Sequence, residues 1–327
     1  MTVPPITRAA VVQDSSVVFN LEATLEKAFG LMEAAASQGA QLVLFPEGFI
    51  PAYPVGLDFG ARFGFRRPRG RQEFQHYFDS AIEIPGPVCE RLGRAAKRFG
   101  IYLVMGIIER DLGTLYCSVA FWSPDGRLLG KRRKLMPTAL ERVVWGMGDG
   151  ATMEVFDTGI GRLGAVICWE NYMPLLRMHM YSQGVQIYCA PTADDLETWC
   201  ATLRHIAREG GCFVLGACQY LTRSDYPEDF FPESPWPDEA GDPDLVLMKG
   251  GSCIVDPMGS FLAGPYFEGR RILTADLDLD LITRAKFDLD VSGHYARPDI
   301  FRLHVNLSRA TGVDACCGRP ENPFNQG

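Results

Sequence analysis

Cys168 ends an apolar run and is followed by residues that favour the start of a helix. Leu163, Ala165 and Ile167 before it are typical of a buried strand, and Pro174 after it suits a first helical turn. A cysteine at such an elbow would lie near backbone N–H groups and a helix N-terminus, which favour the nucleophilic thiolate. The alternative is an inert core cysteine, because free cysteine is among the most buried residue types.

Two further charged residues stand at predicted strand ends. Glu47 directly follows the apolar run 41–45, and glutamate is rarely buried without a partner or a task. Lys134 closes a run of four cations, 131–134, at the end of another strand. A rim glutamate and a solvated charge run are the alternatives. Since open α/β folds bind ligands beyond the carboxyl ends of their strands, Glu47, Lys134 and Cys168 could converge in one crevice.

The elements that would position these groups alternate between helix and strand. Asn20 is a candidate N-cap of the first helix, and Pro87 opens another. The turn at 123–126 predicts a β-hairpin, so antiparallel pairs are also expected. Strands are predicted at 9–13, 41–45, 101–108, 115–122, 127–131, 163–167, 186–190, 212–218, 252–255, 272–277 and 302–307. The pattern favours an α/β fold.

No strong linker divides the 327 residues. We therefore predict a single domain over residues 1–307 and a C-terminal tail over 308–327. Residues 225–244 are too acidic and proline-rich to pack by themselves, and they are interpreted as a surface excursion.

Charge and composition limit the partners. The chain has 32 Lys and Arg against 40 Asp and Glu, a net charge of -8, which argues against nucleic acid and anionic membranes. Five arginines lie among phenylalanines in 57–80, and this segment is interpreted as a mobile loop or a subunit contact. Without a leader or an apolar run long enough to span a bilayer, a soluble, cytoplasmic protein is expected.

Cysteine and histidine patterns predict no metal and no disulfide framework. The 10 cysteines are scattered, and neither they nor the 5 histidines show zinc-site spacing. Residues 159–164 match a dinucleotide-binding fingerprint, but strand-like segments lie on both sides where a helix should follow. We interpret 159–164 as a hairpin turn and expect no cofactor.

Three motifs together resemble a known family. Glu47 in Leu-Phe-Pro-Glu-Gly, Lys134 in Lys-Arg-Arg-Lys-Leu-Met-Pro-Thr and Cys168 in Ile-Cys-Trp-Glu-Asn are similar to the Glu-Lys-Cys triad of the nitrilase superfamily of carbon-nitrogen hydrolases. The resemblance runs from residue 9 to residue 301 and includes 141–150, 190–194, 209–213 and 293–298. Cys-Trp-Glu-Asn is more similar to the nitrilase branch than to the amidase or carbamoylase branches.

The resemblance implies a four-layer α-β-β-α sandwich whose subunits form dimers that extend into spiral homo-oligomers. It also implies that Cys168 attacks a nitrile to form a thioimidate and then a thioester, giving a carboxylic acid and ammonia. Glu47 would relay protons, Lys134 and the backbone N–H of Trp169 would stabilise negative charge, and Glu141 would orient Lys134 or the substrate.

Five residues are candidate pocket walls, with ordinary core or rim positions as the alternative: Tyr53, Trp145, Trp169, Pro191 and Thr192. Water and a small nitrile are the expected reactants. An amidase with the same triad, a reaction that partly stops at the amide, and a non-catalytic scaffold remain alternatives.

Overall fold

The computed structural model describes residues 6–227, 242 and 244–310. Its strands are β1 (Ile6–Gln13), β2 (Leu42–Leu44), β3 (Ala61–Arg62), β4 (Phe65–Arg66), β5 (Tyr102–Asp111), β6 (Thr114–Trp122), β7 (Leu128–Arg133), β8 (Phe156–Thr158), β9 (Gly161–Ala165), β10 (Ile187–Thr192), β11 (Phe213–Cys218), β12 (Tyr220–Thr222), β13 (Val246–Lys249), β14 (Ser252–Val255), β15 (Phe261–Tyr266) and β16 (Arg271–Asp278). Its α-helices are α1 (Leu21–Ser37), α2 (Pro68–Ser80), α3 (Pro87–Phe99), α4 (Glu141–Val144), α5 (Pro174–Ser182), α6 (Glu197–Gly210) and α7 (Asp280–Asp288). Short 3-10 helices lie at Gly150–Thr152, Cys168–Tyr172 and Arg223–Asp225.

Local sequence chemistry accounts for the helix ends. The side chain of Asn20 accepts a hydrogen bond from the backbone N–H of Ala23, which caps α1 as predicted. Pro87 occupies the first turn of α3, and Gly100 ends it in the left-handed conformation that glycine adopts without strain.

The first six-stranded sheet has the order β16-β1-β2-β5-β6-β7. The three strands β1, β2 and β5 run parallel, and β6 and β7 continue the sheet as antiparallel hairpin partners. Glu47 follows the end of β2, and Lys134 follows the end of β7. One sheet therefore carries both of these candidate groups.

The second six-stranded sheet has the order β15-β14-β11-β10-β9-β8, with β9, β10 and β11 parallel. Strands β8 and β9 pair antiparallel, with Thr158 opposite Gly161. This pairing confirms that residues 159–164 belong to a β-hairpin rather than to a dinucleotide-binding loop, with the turn at 159–160 and the rest already in β9. Cys168 follows the end of β9, so the candidate nucleophile belongs to the second sheet.

Three buried clusters define the layers. The central cluster joins Ala9 and Val11 of the first sheet to Leu163 and Ile187 of the second. A second cluster packs α1 and α3 against the outer face of the first sheet, and a third packs α5 and α6 against the outer face of the second. Because each sheet buries one face against the other and one face under helices, the prediction of a four-layer α-β-β-α sandwich is confirmed.

Two local predictions differ from the structure. Of the two interpretations of residues 57–80, the mobile loop is wrong, because the segment contains the β3–β4 hairpin and helix α2, whose Tyr77 is buried. The subunit contact stays a prediction. Residues 302–307 form no strand. The predicted surface excursion at 225–244 lies mostly outside the described residues, as does the predicted tail beyond residue 310. No helix of the described chain is long and apolar enough to cross a membrane.

Candidate active site

Glu47, Lys134 and Glu141 meet in a buried chain of hydrogen bonds. The Nζ atom of Lys134 lies 2.7 Å from Glu47 Oε1 and 2.7 Å from Glu141 Oε2. The side chains of Glu47 and Lys134 are both 0% exposed. The buried ammonium of Lys134 is stabilised by the two carboxylates that flank it. The structure thus brings together three of the four predicted catalytic residues.

The backbone of Glu47 is held from two sides. A Cβ atom at Gly106 of β5 would lie 1.9 Å from the carbonyl oxygen of Pro46 and 2.8 Å from Glu47 Cα, so only glycine permits this approach. From the residue that follows β11 of the second sheet, Gln219 Nε2 donates a hydrogen bond of 3.0 Å to the carbonyl oxygen of Glu47. These contacts fix the strand end from which the Glu47 carboxylate projects.

Cys168 lies at the predicted strand-to-helix elbow, and the structure shows that its backbone is strained there. Its φ of 52° is in the left-handed region, which a non-glycine residue adopts only when the surroundings enforce it. Asn171 supplies part of that enforcement, because its Nδ2 donates to the carbonyl oxygens of Val166 and Cys168 at 2.9 and 2.8 Å. Tyr188 in turn donates to Asn171 Oδ1 at 2.8 Å.

The expectation of a thiolate at Cys168 is wrong for the free protein, because burial outweighs the favourable effect of the elbow. Burial raises the pKa of the Cys168 thiol, and the negative charge of Glu47 raises it further, against the opposing effects of Lys134 and Thr192. Burial also raises the pKa of Glu47, although Lys134 acts against that shift. The thiol thus keeps its proton until a base removes it, and a carboxylate of raised pKa is a stronger base than an ordinary one.

Lys134 remains a cation. Burial acts to lower its pKa, but the negative charge of Glu47 and of other nearby groups outweighs burial, and the pKa is raised. A permanent positive charge in this water-excluded position is suited to stabilising negative charge that develops nearby.

Tyr53 and Trp145, two of the predicted pocket residues, border this cluster. The Tyr53 hydroxyl donates to Glu141 Oε1 at 2.7 Å, and the rings of Tyr53 and Trp145 meet edge to face at 5.7 Å. Both rings and Glu141 line a cavity of about 290 Å³, whose other walls are mostly apolar. Burial raises the pKa of Tyr53 well above its usual range, and the nearby charges of Glu47 and Glu141 add to that shift, so its hydroxyl stays a donor.

The other three predicted pocket residues differ in position. Thr192 contacts the candidate nucleophile directly, because its Oγ1 donates to Cys168 Sγ at 3.2 Å. Pro191 precedes it, buried in β10. The ring of Trp169 is 49% exposed, and its indole N–H donates to Asp194 Oδ2 at 2.8 Å, so this side chain lies at the surface.

Sequence reasoning missed a buried ion pair that joins the two sheets beside the site. Arg132 of β7 donates to Glu170 Oε1 at 2.9 Å and to the carbonyl oxygen of Ala165, the last residue of β9, at 2.8 Å. Glu170 also accepts the backbone N–H groups of Leu135 and Ile167. It therefore ties the residue after Lys134 to the residue before Cys168. The position of Glu170 two residues after Cys168 was the available signal.

Among the described residues, no group of three or more His, Cys, Asp or Glu side chains is arranged to hold a metal ion. The arrangement is instead that of a protonated nucleophile, a buried base and a fixed cation, which suits acyl-transfer chemistry through a covalent intermediate.

Comparison with known proteins identifies the family. A model of the carbon-nitrogen hydrolase family matches residues 8–287. The chain belongs to the carbon-nitrogen hydrolase family.

Relatives that are more than half identical to the chain are named as nitrilases, which confirms the predicted branch. The chain is 56% identical over 306 residues to an aliphatic nitrilase of Sinorhizobium fredii, covering 94% of this chain and 97% of the relative. It is 54% identical over 303 residues to a bifunctional nitrilase/nitrile hydratase of Lupinus angustifolius, covering 92% and 86%.

Solved structures share the fold. Nit3 of Saccharomyces cerevisiae, a member of branch 10 of the nitrilase superfamily, superposes with a TM-score of 0.69 at 24% identity over 89% of this chain and 96% of that one. A carbon-nitrogen hydrolase from Helicobacter pylori gives the same TM-score at 20% identity over 90% and 97%.

Proposed function

We propose that this carbon-nitrogen hydrolase is a nitrilase that converts an organic nitrile and two waters into a carboxylic acid and ammonia. The observation that carries the proposal is the contact of Lys134 with Glu47 at 2.7 Å beside Cys168 on its strained elbow. The nitrilases that are more than half identical to the chain support the choice of nitrile over amide.

The first half of the reaction forms a covalent thioimidate. Glu47 takes the thiol proton as Cys168 Sγ bonds to the nitrile carbon, and that proton passes to the nitrile nitrogen. Thr192, whose hydroxyl already points at Sγ, donates to the sulfur as it becomes negative. Because the free thiol is held neutral by burial, this proton transfer accompanies substrate attack rather than preceding it.

The second half releases ammonia and then the acid. Glu47 deprotonates a water that attacks the thioimidate carbon, giving a tetrahedral intermediate. Protonation of its nitrogen lets the C–N bond break and leaves a thioester, which a second water cleaves to the acid while the thiol regains its proton. Lys134 and the backbone N–H of Trp169 stabilise the oxyanions, each donor contributing about 10²- to 10³-fold.

The remaining residues orient these groups. Glu141 holds Lys134 through its Oε2 and Tyr53 through its Oε1, so it fixes the ammonium relative to the pocket. Tyr53 and Trp145 supply an aromatic wall for the organic part of the nitrile. Pro191 positions Thr192 through the rigid end of β10, and the side chain of Trp169 contributes at the pocket entrance.

Partial release of the amide is part of the proposal. If the C–S bond of the first tetrahedral intermediate breaks before the C–N bond, the product is the amide. A relative named as a bifunctional nitrilase/nitrile hydratase favours this branch as a minor outcome.

Product analysis with the full chain tests the function. Aryl, arylacetyl, aliphatic and β-cyanoalanine-type nitriles and the matching amides would be incubated with the protein, and ammonia, acid and amide would be quantified. We expect ammonia and acid in equal amounts from at least one nitrile, with the amide a minor product. Turnover of the amides alone would make the protein an amidase, and release from neither class would contradict both functions.

We also propose a homodimer that uses the outer helical layer and builds larger spiral homo-oligomers. Four apolar side chains near the start of α5 are exposed: Trp169, Tyr172, Met173 and Leu175. Leu196, at the start of α6, is also exposed, and such patches mark interaction sites.

Sedimentation tests the dimer. Leu175→Glu is expected to shift the protein toward monomer, because the new charge would be buried against the second copy. Leu112→Glu, at an apolar position in the β5–β6 turn that is 93% exposed against 67% for Leu175, is the control. An unchanged sedimentation coefficient for Leu175→Glu would remove this face from the interface.

A cytoplasmic location is the remaining proposal. The eight described cysteines are all buried and free, in keeping with a reducing compartment. Cell fractionation that recovers the protein outside the cytoplasm would contradict it.

A further inference from the structure

The two oxygens of the Glu47 carboxylate have different surroundings. Oε1 accepts hydrogen bonds from Lys134 Nζ at 2.7 Å and from Cys117 Sγ at 3.4 Å. Oε2 is equally buried, yet no protein group in the described chain bonds to it. A buried carboxylate oxygen without a hydrogen-bond donor is unfavourable unless a reactant supplies the donor. Oε2 is therefore the oxygen that is available for proton transfer.

Cys117 is placed to create this asymmetry. It lies in β6 between the two groups that it joins, and its side chain is 1% exposed. Its carbonyl oxygen accepts the backbone N–H of Lys134 at 2.8 Å, while its side chain donates to Glu47. Burial raises the pKa of Cys117 well above its usual range, and the charge of Glu47 adds to that shift. Cys117 therefore remains a neutral S–H donor and is not a second nucleophile.

We propose that Cys117 is a positioning residue of the active site: its S–H group fixes the rotation of the Glu47 carboxylate and commits Oε2 to proton transfer. This inference rests on the proposed function only in taking Glu47 as the base. The S–H donor also makes Glu47 less basic than it would be with Lys134 alone. Loss of the S–H donor would therefore allow the Glu47 carboxylate to rotate and would raise the pKa of Glu47.

Several titratable groups from other elements also act on Glu47 or on its immediate neighbours, and a substitution of Cys117 removes none of them. They are Lys134, Glu141, Tyr53, Cys168 and Cys218. A change in the pH dependence on replacing Cys117 is consequently attributable to its own donor.

The test compares Cys117→Ala and Cys117→Ser in the full chain. For Cys117→Ala we expect kcat to fall by about 3- to 10-fold with little change in KM, because a hydrogen bond to a charged group is lost. The acid limb of the kcat/KM profile, which reports ionisation of Glu47 in the free enzyme, should move up by about half a pH unit. Serine supplies a donor again, so its acid limb should return toward that of the native protein.

Cys189→Ala is the matched control, since it removes another fully buried thiol from the same central cluster, one whose pKa is raised by burial alone. Its acid limb should stay in place. A second readout needs no nitrile: the rate of Cys168 alkylation by iodoacetamide against pH, followed by mass spectrometry. An unmoved acid limb in the alkylation profile of Cys117→Ala would overturn the proposal even if nitrile turnover itself were absent. An upward shift of the acid limb in Cys117→Ala that is partly reversed in Cys117→Ser supports the proposal.

Discussion

Replacing Cys168 with alanine is expected to lower nitrile turnover by about 10⁴-fold or more, because the covalent route through the thioimidate is lost entirely. The variant should fold normally. Alanine is smaller than cysteine, and the elbow is held by Asn171 through backbone carbonyls rather than through the thiol. Ammonia release at saturating nitrile, together with the circular dichroism melting temperature, measures both properties.

Cys168→Ser separates the loss of the nucleophile from the loss of the side chain. Serine keeps an acceptor near Thr192, but its hydroxyl is far harder to deprotonate by a carboxylate, so a similarly large loss is expected. Cys189→Ala serves as the control for removing a buried thiol. Turnover by either Cys168 variant above one tenth of the native rate would exclude Cys168 as the nucleophile.

Replacing Glu170 with alanine should destabilise the protein by about 3–5 kcal/mol, since it leaves the buried Arg132 cation without its partner. The N–H groups of Leu135 and Ile167 also lose their acceptor, so the residues beside Lys134 and Cys168 are released together. We expect a drop in melting temperature of roughly 4–7 °C, since the entropy of unfolding of a chain this long is about 0.7 kcal/mol per kelvin, and a large fall in kcat. Thermal denaturation at a fixed scan rate and steady-state kinetics check the two effects.

An exposed ion pair between β8 and β9 of the second sheet is the control for Glu170. Asp157→Ala removes the partner of Arg162, whose side chain is 52% exposed, and should change stability by less than about 1 kcal/mol. The double variant Arg132→Met with Glu170→Leu removes both charges of this pair and should recover part of the lost stability, but not the activity. Equal melting temperatures for Glu170→Ala and Asp157→Ala would mean that the buried pair does not clamp the sheets.

The positions of the candidate groups could be predicted because short-range patterns determine where strands end. An apolar run that stops before Glu47, and another that stops before Cys168, locate both residues without reference to any contact. The turn at 159–164 was also predictable, since strand-like residues on both sides exclude a nucleotide-binding helix.

The partners of these groups could not be predicted, because they are distant in sequence. Nothing local to Cys117 indicates that its thiol reaches Glu47 seventy positions earlier, and nothing local to Arg132 indicates Glu170. The protonation of Cys168 was wrongly expected for a related reason. The elbow favours a thiolate, but burial between two sheets disfavours it more, and burial is a property of the whole fold. Helix α2 was missed because its polar segment is anchored mainly by one buried tyrosine.

The base and the nucleophile belong to different sheets: Glu47 and Lys134 to the first, Cys168 and Thr192 to the second. Neither sheet alone therefore brings the base, the cation and the nucleophile together. The active site is complete only when the two sheets pack against each other. The turnover rate is therefore expected to depend on the relative position of the two sheets. Side chains packed between the two sheets, far from any substrate, thereby determine how the base is placed relative to the nucleophile.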